Sequence, residues 1–251
     1  MFPNPRTPAA LQPGRRALLR TAVVGTAAAA GAGLALGPAA PAFAAPTPSR
    51  DLEGTEPVST PEQALRRLAA GNHRWRTRHQ QHPHESASLR RRLVQGQHPF
   101  AVVLGCVDSR VSPELVFDQG LGDLLTVRSA GEVLDEAVLG SIVYGVLELR
   151  VPLVLVLAHQ SCGAVAAAVH ADETGDPLPA HIRYLADRIR PSIDRGRHGE
   201  ARIDATIDAH ARGVRRHLAA EPDLAGKVAT GELAVVAARY ELRDQQVRTL
   251  S

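Results

Sequence analysis

Residues 100–110 read F-A-V-V-L-G-C-V-D-S-R, an apolar run that leads into a cysteine, an aspartate and an arginine. The first six of these residues are apolar on both faces, which is typical of a central strand in a parallel sheet. A second run of this kind, L-V-L-V-L-A at 153–158, leads directly into His159, with Cys162 three residues later. Ligand sites in open α/β sheets lie at the carboxyl ends of parallel strands. We therefore expect Cys106, His159 and Cys162 to meet at one edge of a sheet.

The rest of the body alternates between helical and strand patterns. Thr60-Pro61 with Gln63 is typical of a helix start with a capping box. Such alternation predicts an α/β fold with a mostly parallel central β-sheet flanked by helices. Further strands are predicted at 123–127 and 233–240, and helices at 61–76, 86–93, 113–118, 133–149, 163–170, 181–190 and 202–218.

The chain divides into a leader, a linker and one body. Residues 1–44 contain the pair Arg15-Arg16, then a run of uncharged residues rich in Ala and Gly, and end in the small-x-small sequence A-F-A. This pattern resembles a twin-arginine export signal, and we expect cleavage after Ala44 and a periplasmic, cell-surface or secreted location. An uncleaved membrane anchor is the alternative, because the uncharged run is long enough to span a bilayer. Residues 45–58 are a Pro-rich flexible linker, and residues 59–251 form the body.

Composition excludes several classes of protein. The chain has 251 residues, of which 44% are hydrophobic and 22% charged, so it is neither disordered nor fibrous. The formal charge of +3 arises in the leader, which holds four arginines and no acid, and the body is close to neutral. We expect no nucleic-acid partner, because such a partner requires a basic face. After cleavage we expect no stable membrane span.

Two thiolates and an imidazole are a ligand set that suits zinc. Three protein ligands leave the fourth tetrahedral position open, as in catalytic zinc sites. Two other interpretations remain at this point. Exported proteins favour disulfides, so Cys106 and Cys162 could pair with each other, or both could be buried free thiols.

Asp108 and Arg110 follow Cys106 at alternate positions, which project the same way in an extended segment. An aspartate beside a metal could bind it or accept a proton from its water ligand. An arginine paired with that aspartate keeps it ionised. The alternative is an ordinary ion pair in the turn before Pro113.

G-C-V-D-S-R at 105–110, together with A-H-Q-S-C-G-A at 158–164, resembles the β-class carbonic anhydrase family. The family pattern is C-x-D-x-R, followed further along the chain by H-x-x-C-G. The similarity extends from about Pro61 to the last strands. It implies that residues 59–251 are a zinc-dependent catalytic domain that hydrates carbon dioxide reversibly to bicarbonate and a proton, with one Zn²⁺ per chain.

The resemblance also implies roles for single residues. Cys106, His159 and Cys162 would hold the zinc, and Asp108 with Arg110 would form the dyad that controls the fourth position. In a closed, low-pH state Asp108 would itself be the fourth ligand. The substrate pocket would be lined by Gln97, Leu125, Ala130, Tyr144 and Gly163, with Tyr144 reaching in from a partner subunit of a homodimer or homotetramer.

Other activities use the same scaffold. Relatives of this family hydrolyse carbonyl sulfide or carbon disulfide, and Leu125, where many members have Phe, and Ala130 would shape the entrance for such substrates. A non-catalytic zinc-binding protein is a further alternative. No proton shuttle is identified, because His170 and His210 are expected to be solvated.

Overall fold

A five-stranded sheet forms the centre of the protein in a computed structural model, which describes residues 58–251. The predicted leader and nearly all of the predicted linker lie outside the described residues. The strand order is β2-β1-β3-β4-β5, with the first four strands parallel and the fifth antiparallel. The strands are β1 (Ala101–Gly105), β2 (Leu124–Arg128), β3 (Leu153–His159), β4 (Ala234–Tyr240) and β5 (Val247–Leu250). The predicted fold class is therefore confirmed.

Eight helices surround this sheet within the described part of the chain. They are α1 (Pro61–Thr77), α2 (Ala87–Arg92), α3 (Pro113–Val116), α4 (Glu136–Leu147), α5 (Gly163–Thr174), α6 (Ala180–Ile189), α7 (Gly199–Ala220) and α8 (Pro222–Thr230). None of the helices between residues 58 and 251 combines the length and apolar character needed to cross a bilayer.

Both faces of the sheet are covered, as the apolar runs predict. Side chains alternate along a strand, so Val102 and Leu104 of β1 join the core on one face, whereas Val103 joins the core on the other. Helices α4 to α8 cover the first face, and α1 and α3 cover the second. The sheet is thereby fixed between two apolar layers, and within residues 58–251 its edges and strand ends remain open to form a site.

Local signals set the helix ends. The predicted capping box of α1 is confirmed, since the Thr60 side chain accepts from the Gln63 amide and the Gln63 side chain accepts from the Thr60 amide. Helix α4 begins at Glu136, three residues later than predicted, because the Asp135 carboxylate caps it by accepting from the Val138 amide at 2.8 Å.

Two elements were not predicted. Strand β5 is short and largely exposed, so it has no apolar pattern and depends on its antiparallel pairing with β4. Helix α8 carries its own signals, since Pro222 starts it and Gly231, with φ of 77°, ends it.

The predicted solvation of His210 was wrong. His170 is exposed, as expected, but only 5% of His210 is accessible. His210 lies on the side of α7 that also carries Ile207, Ala211 and Val214, all of which are buried. The amphipathic pattern of α7 therefore carries one histidine into the core.

Candidate metal centre

The carboxyl ends of two adjacent strands bring the predicted ligands together. Cys106 directly follows β1, His159 is the last residue of β3, and these strands pair in parallel. Cys162 stands at the cap of α5. The ligand atoms of all three buried residues lie within 4.8 Å of one another. This juxtaposition is the one that the two apolar runs predicted.

The spacing of the two sulfurs argues against a disulfide. The Sγ atoms of Cys106 and Cys162 are 4.0 Å apart, and both cysteines are free. A disulfide requires about 2.05 Å. Two thiolates bound to one tetrahedral zinc at about 2.3 Å each would be about 3.8 Å apart, which is close to the observed separation.

His159 is oriented to offer a lone pair to a metal. Its Nδ1 is 2.9 Å from the carbonyl oxygen of Gln160. Because a carbonyl can only accept, Nδ1 carries the proton and Nε2 has a free lone pair. This buried Nε2 finds no hydrogen-bond partner among residues 58–251. Metal-bound histidines typically donate their other ring N–H to a carbonyl or carboxylate in this way. Cys106, His159 and Cys162 therefore fit a zinc site better than they fit a pair of buried free thiols.

The two thiols are not equivalent before a metal binds. The hydrogen bond with Cys162 lowers the pKa of Cys106 to about 4, helped by the Gly131 amide, which lies 3.3 Å from Cys106 Sγ. The same sulfur–sulfur bond, together with burial, raises the pKa of Cys162. The metal-free pair therefore holds one thiolate and one thiol, and Cys162 loses its proton when a cation binds.

We expect metal-free protein to show one thiolate per chain at pH 6, where ordinary thiols remain protonated. This thiolate should disappear as the pH falls through about 4, because Cys106 is protonated below its pKa. Ultraviolet absorbance of the thiolate measures both. In Cys162→Ala the hydrogen-bond donor is lost, so the thiolate should already disappear at a higher pH. Absence of a thiolate from the wild-type chain at pH 6 would contradict this assignment.

Asp108 and Arg110 form the expected pair at the open side of the ligands. Arg110 donates to both carboxylate oxygens, from Nε at 2.9 Å and from a terminal nitrogen at 2.7 Å. These bonds hold the pKa of Asp108 well below its usual range, against the opposing effect of burial. Oδ2 of Asp108 lies 3.8 Å from Nε2 of His159. An ionised carboxylate is thus fixed beside the ligands.

Arg128, which the sequence did not single out, fixes the loop that carries this pair. Its guanidinium donates to the carbonyl oxygens of Cys106, Asp108 and Val111 at 2.8 to 3.0 Å. Arg128 ends β2, so the bonds tie the loop after β1 to the neighbouring strand. An arginine at the end of a largely apolar strand was the signal available in the sequence.

A tight turn after β2 closes the other side of the site. Gly131 has φ of 65°, and a Cβ there would lie 3.0 Å from Ile189 Cδ1, so only glycine suits the position. Ala130 belongs to this turn, as does Glu132, whose φ is 52°. Glu132 is buried, and burial, with the charge of Cys106, raises its pKa well above the usual range. A neutral acid therefore lies near the sulfurs, a feature that no local sequence pattern indicates.

The predicted pocket residues fall into two groups. Ala130 and Gly163, the first residue of α5, lie at the carboxyl edge of the sheet with the ligands. Gln97, Leu125 and Tyr144 belong to other parts of the fold.

Topology separates Gln97 and Leu125 from the ligands. Gln97 is exposed and precedes β1, so the whole strand separates it from Cys106. Leu125 pairs with Val102, four residues before Cys106. Tyr144 is 47% exposed on α4.

Comparison with known proteins agrees with this geometry. A family model described as carbonic anhydrase matches residues 101–247. Carbonic anhydrase 2 of Mycobacterium tuberculosis is 43% identical over 190 residues, which is 75% of this chain and 92% of that protein. The carbonic anhydrase of Mycolicibacterium smegmatis is 42% identical over 197 residues, which is 78% of this chain and 96% of that protein.

Solved structures show the same fold. The β-carbonic anhydrase CcaA superposes with a TM-score of 0.60 at 22% identity, covering 74% of this chain and 86% of that one. CafA of Aspergillus fumigatus gives a TM-score of 0.61 at 22% identity, covering 72% of this chain and 88% of that one. Family match, relatives and fold agree, and the chain belongs to the β-carbonic anhydrase family.

Proposed function

We propose that this enzyme hydrates carbon dioxide reversibly to bicarbonate and a proton, with one Zn²⁺ held by Cys106, His159 and Cys162. The observation that carries the proposal is the convergence of these three ligand atoms within 4.8 Å, with an ionised Asp108 beside them. The carbonic anhydrases reported above support the reaction. Bound zinc supplies Lewis-acid chemistry that lowers the pKa of a water ligand from about 15.7 toward 7.

The residues of the chain set up this chemistry. Two sulfurs and one imidazole would leave a bound zinc with a fourth tetrahedral position, and Oδ2 of Asp108 lies 3.8 Å from Nε2 of His159. Because Arg110 keeps Asp108 ionised, its carboxylate accepts a hydrogen bond rather than donating one, and would so orient a water molecule beside the ligands. The Arg110 side chain also donates to the Ser161 carbonyl at 3.3 Å, which joins the loops after β1 and β3.

We also propose a closed, inactive state at low pH, in which Asp108 would be the fourth zinc ligand. Entering it requires Asp108 to leave both bonds with Arg110. Arg110 is therefore the residue that favours the open state.

Turnover of purified protein tests the choice of substrate. We expect stopped-flow measurements to show rapid hydration of CO2 and much slower hydrolysis of COS and CS2. Faster hydrolysis of either sulfur compound would assign the enzyme to that activity, and zinc binding without any turnover would make it a non-catalytic zinc protein.

We also propose that the pocket is completed by a second copy of the chain in a homodimer or homotetramer. Tyr144 and Leu147 expose 47% and 41% of their surface on α4. The outer edge of β2 pairs with no other strand among residues 58–251, and its residues are half-buried apart from the exposed Arg128. Apolar helix surface beside an open sheet edge is typical of an interface between subunits.

Tyr144→Asp should weaken this assembly, because it places a charge in an apolar interface. We expect sedimentation analysis to show a shift toward monomer and CO2 hydration to fall with it. Ile182→Asp, at a residue exposed to 46% on α6, is the matched control. An unchanged assembly in Tyr144→Asp, or the same loss in both variants, would remove Tyr144 from the interface.

The leader carries a further proposal, namely export of the chain through the twin-arginine route. The support is the Arg15-Arg16 pair before an uncharged run and the A-F-A sequence at 42–44. We expect a mature protein that begins at Ala45, as read by N-terminal sequencing, and retention inside the cell when both arginines are changed to lysine. Export of that double variant at the wild-type level would contradict the route.

A further inference from the structure

His210 is a buried polar residue that the reaction itself does not use. It projects from α7, and its Nε2 lies 2.8 Å from the carbonyl oxygen of Gly131. Seventy-nine residues separate the two in sequence. The contact therefore joins a helix of the outer layer to the turn that borders the metal ligands.

That turn has a conformation that needs outside support. Gly131 and Glu132 have φ of 65° and 52°, both in the left-handed region. A non-glycine residue such as Glu132 adopts this region at a cost in free energy, and persists in it only when its surroundings hold it there. The conformation turns the Gly131 amide toward Cys106, with the nitrogen 3.3 Å from Sγ.

We propose that His210 is a positioning residue for the metal centre: by donating to the Gly131 carbonyl it holds the Gly131 amide on the Cys106 sulfur. The inference rests on the proposed zinc site. Gly131 links His210 to the ligand Cys106, because its carbonyl oxygen accepts from His210 and its amide donates to the Cys106 sulfur. Hydrogen bonds to ligand atoms fix their orientation and tune the bound metal.

The tautomer of His210 follows from its partner. A carbonyl oxygen only accepts, so Nε2 must carry a proton. Burial lowers the pKa of His210, which keeps the ring neutral and leaves Nδ1 unprotonated. The ring therefore donates in one fixed direction, toward Gly131.

Three variants separate this role from general stability. His210→Leu removes the donor, His210→Gln keeps a donor at the position of Nε2, and Val214→Ala creates a defect on the same buried side of α7 without removing a hydrogen bond to the turn. We expect His210→Leu to weaken zinc binding about 10-fold in competition with a chelator, the effect typical of losing a hydrogen bond that supports a metal ligand. The glutamine and alanine variants should bind zinc like the wild type.

Cobalt-loaded protein gives a readout that folding stability does not move. The sulfur-to-cobalt charge-transfer band should shift in His210→Leu and keep its position in His210→Gln and Val214→Ala. An unshifted band and normal zinc affinity in His210→Leu, or an equal loss in Val214→Ala, would overturn the role of His210. Failure of the zinc site itself would differ, since the wild-type chain would then bind no metal.

The wild-type protein offers a test that does not depend on a folded variant. We expect the ¹⁵N shifts of the His210 ring to show a proton on Nε2 and none on Nδ1. A ring protonated on Nδ1 alone would leave Nε2 unable to donate to Gly131, and the proposal would be wrong.

Discussion

Cys106→Ser should remove zinc from the chain and abolish CO2 hydration. A serine hydroxyl does not ionise as the Cys106 thiol does, whose pKa is about 4, so it offers the metal a poor ligand. It also leaves Cys162 without its sulfur partner at 4.0 Å. We expect metal analysis to fall from one zinc per chain to almost none, and hydration to fall on the order of 10³-fold or more, because the whole metal contribution is lost.

Ser109→Ala is the matched control for this change. Ser109 is exposed in the same loop and does not belong to the ligand group, so this variant should keep its zinc and its activity. If Cys106→Ser retained a full equivalent of zinc and rapid hydration, the ligand assignment would be wrong.

Asp108→Asn should leave zinc bound and still reduce turnover by about 10²- to 10⁴-fold, the range expected for a positioned proton acceptor. Asparagine keeps the shape of the side chain but loses its charge, so it no longer accepts two charge-assisted bonds from Arg110. The loss should appear mainly in kcat. It should also be independent of pH across the neutral range, because the lowered pKa of Asp108 keeps the wild-type carboxylate ionised throughout.

Asp135→Asn provides the comparison for a lost carboxylate elsewhere. Asp135 caps α4, and asparagine caps helices equally well, so this variant should behave like the wild type. Full hydration activity in Asp108→Asn would show that the carboxylate has no part in catalysis.

The ligand group could be predicted from sequence because short-range patterns determine it. Apolar runs on both faces predicted β1 and β3, and the rule on strand ends then placed Cys106 and His159 side by side. The pairing of Asp108 with Arg110 followed from their alternate spacing in an extended segment.

The hydrogen bonds that support the metal ligands could not be predicted, because they join segments that are distant in sequence. The bond between the Gly131 amide and Cys106 spans 25 residues, and the bond from His210 to Gly131 spans 79. Neither bond is indicated by a local sequence pattern. The helical pattern of α7 predicts that one side of the helix is buried, but it does not predict the hydrogen-bond partner of His210. Tyr144 illustrates a second limit, since the resemblance assigns it to the pocket of a partner subunit, which the pattern of a single chain does not test.

X-ray absorption at the zinc edge, together with metal content per chain, tests the central claim most directly. The account predicts one zinc per chain, with two sulfur neighbours at about 2.3 Å and two nitrogen or oxygen neighbours at about 2.0 to 2.2 Å. A coordination shell without sulfur, a shell of four sulfurs, or purified chains with Cys106 joined to Cys162 and no metal would contradict it.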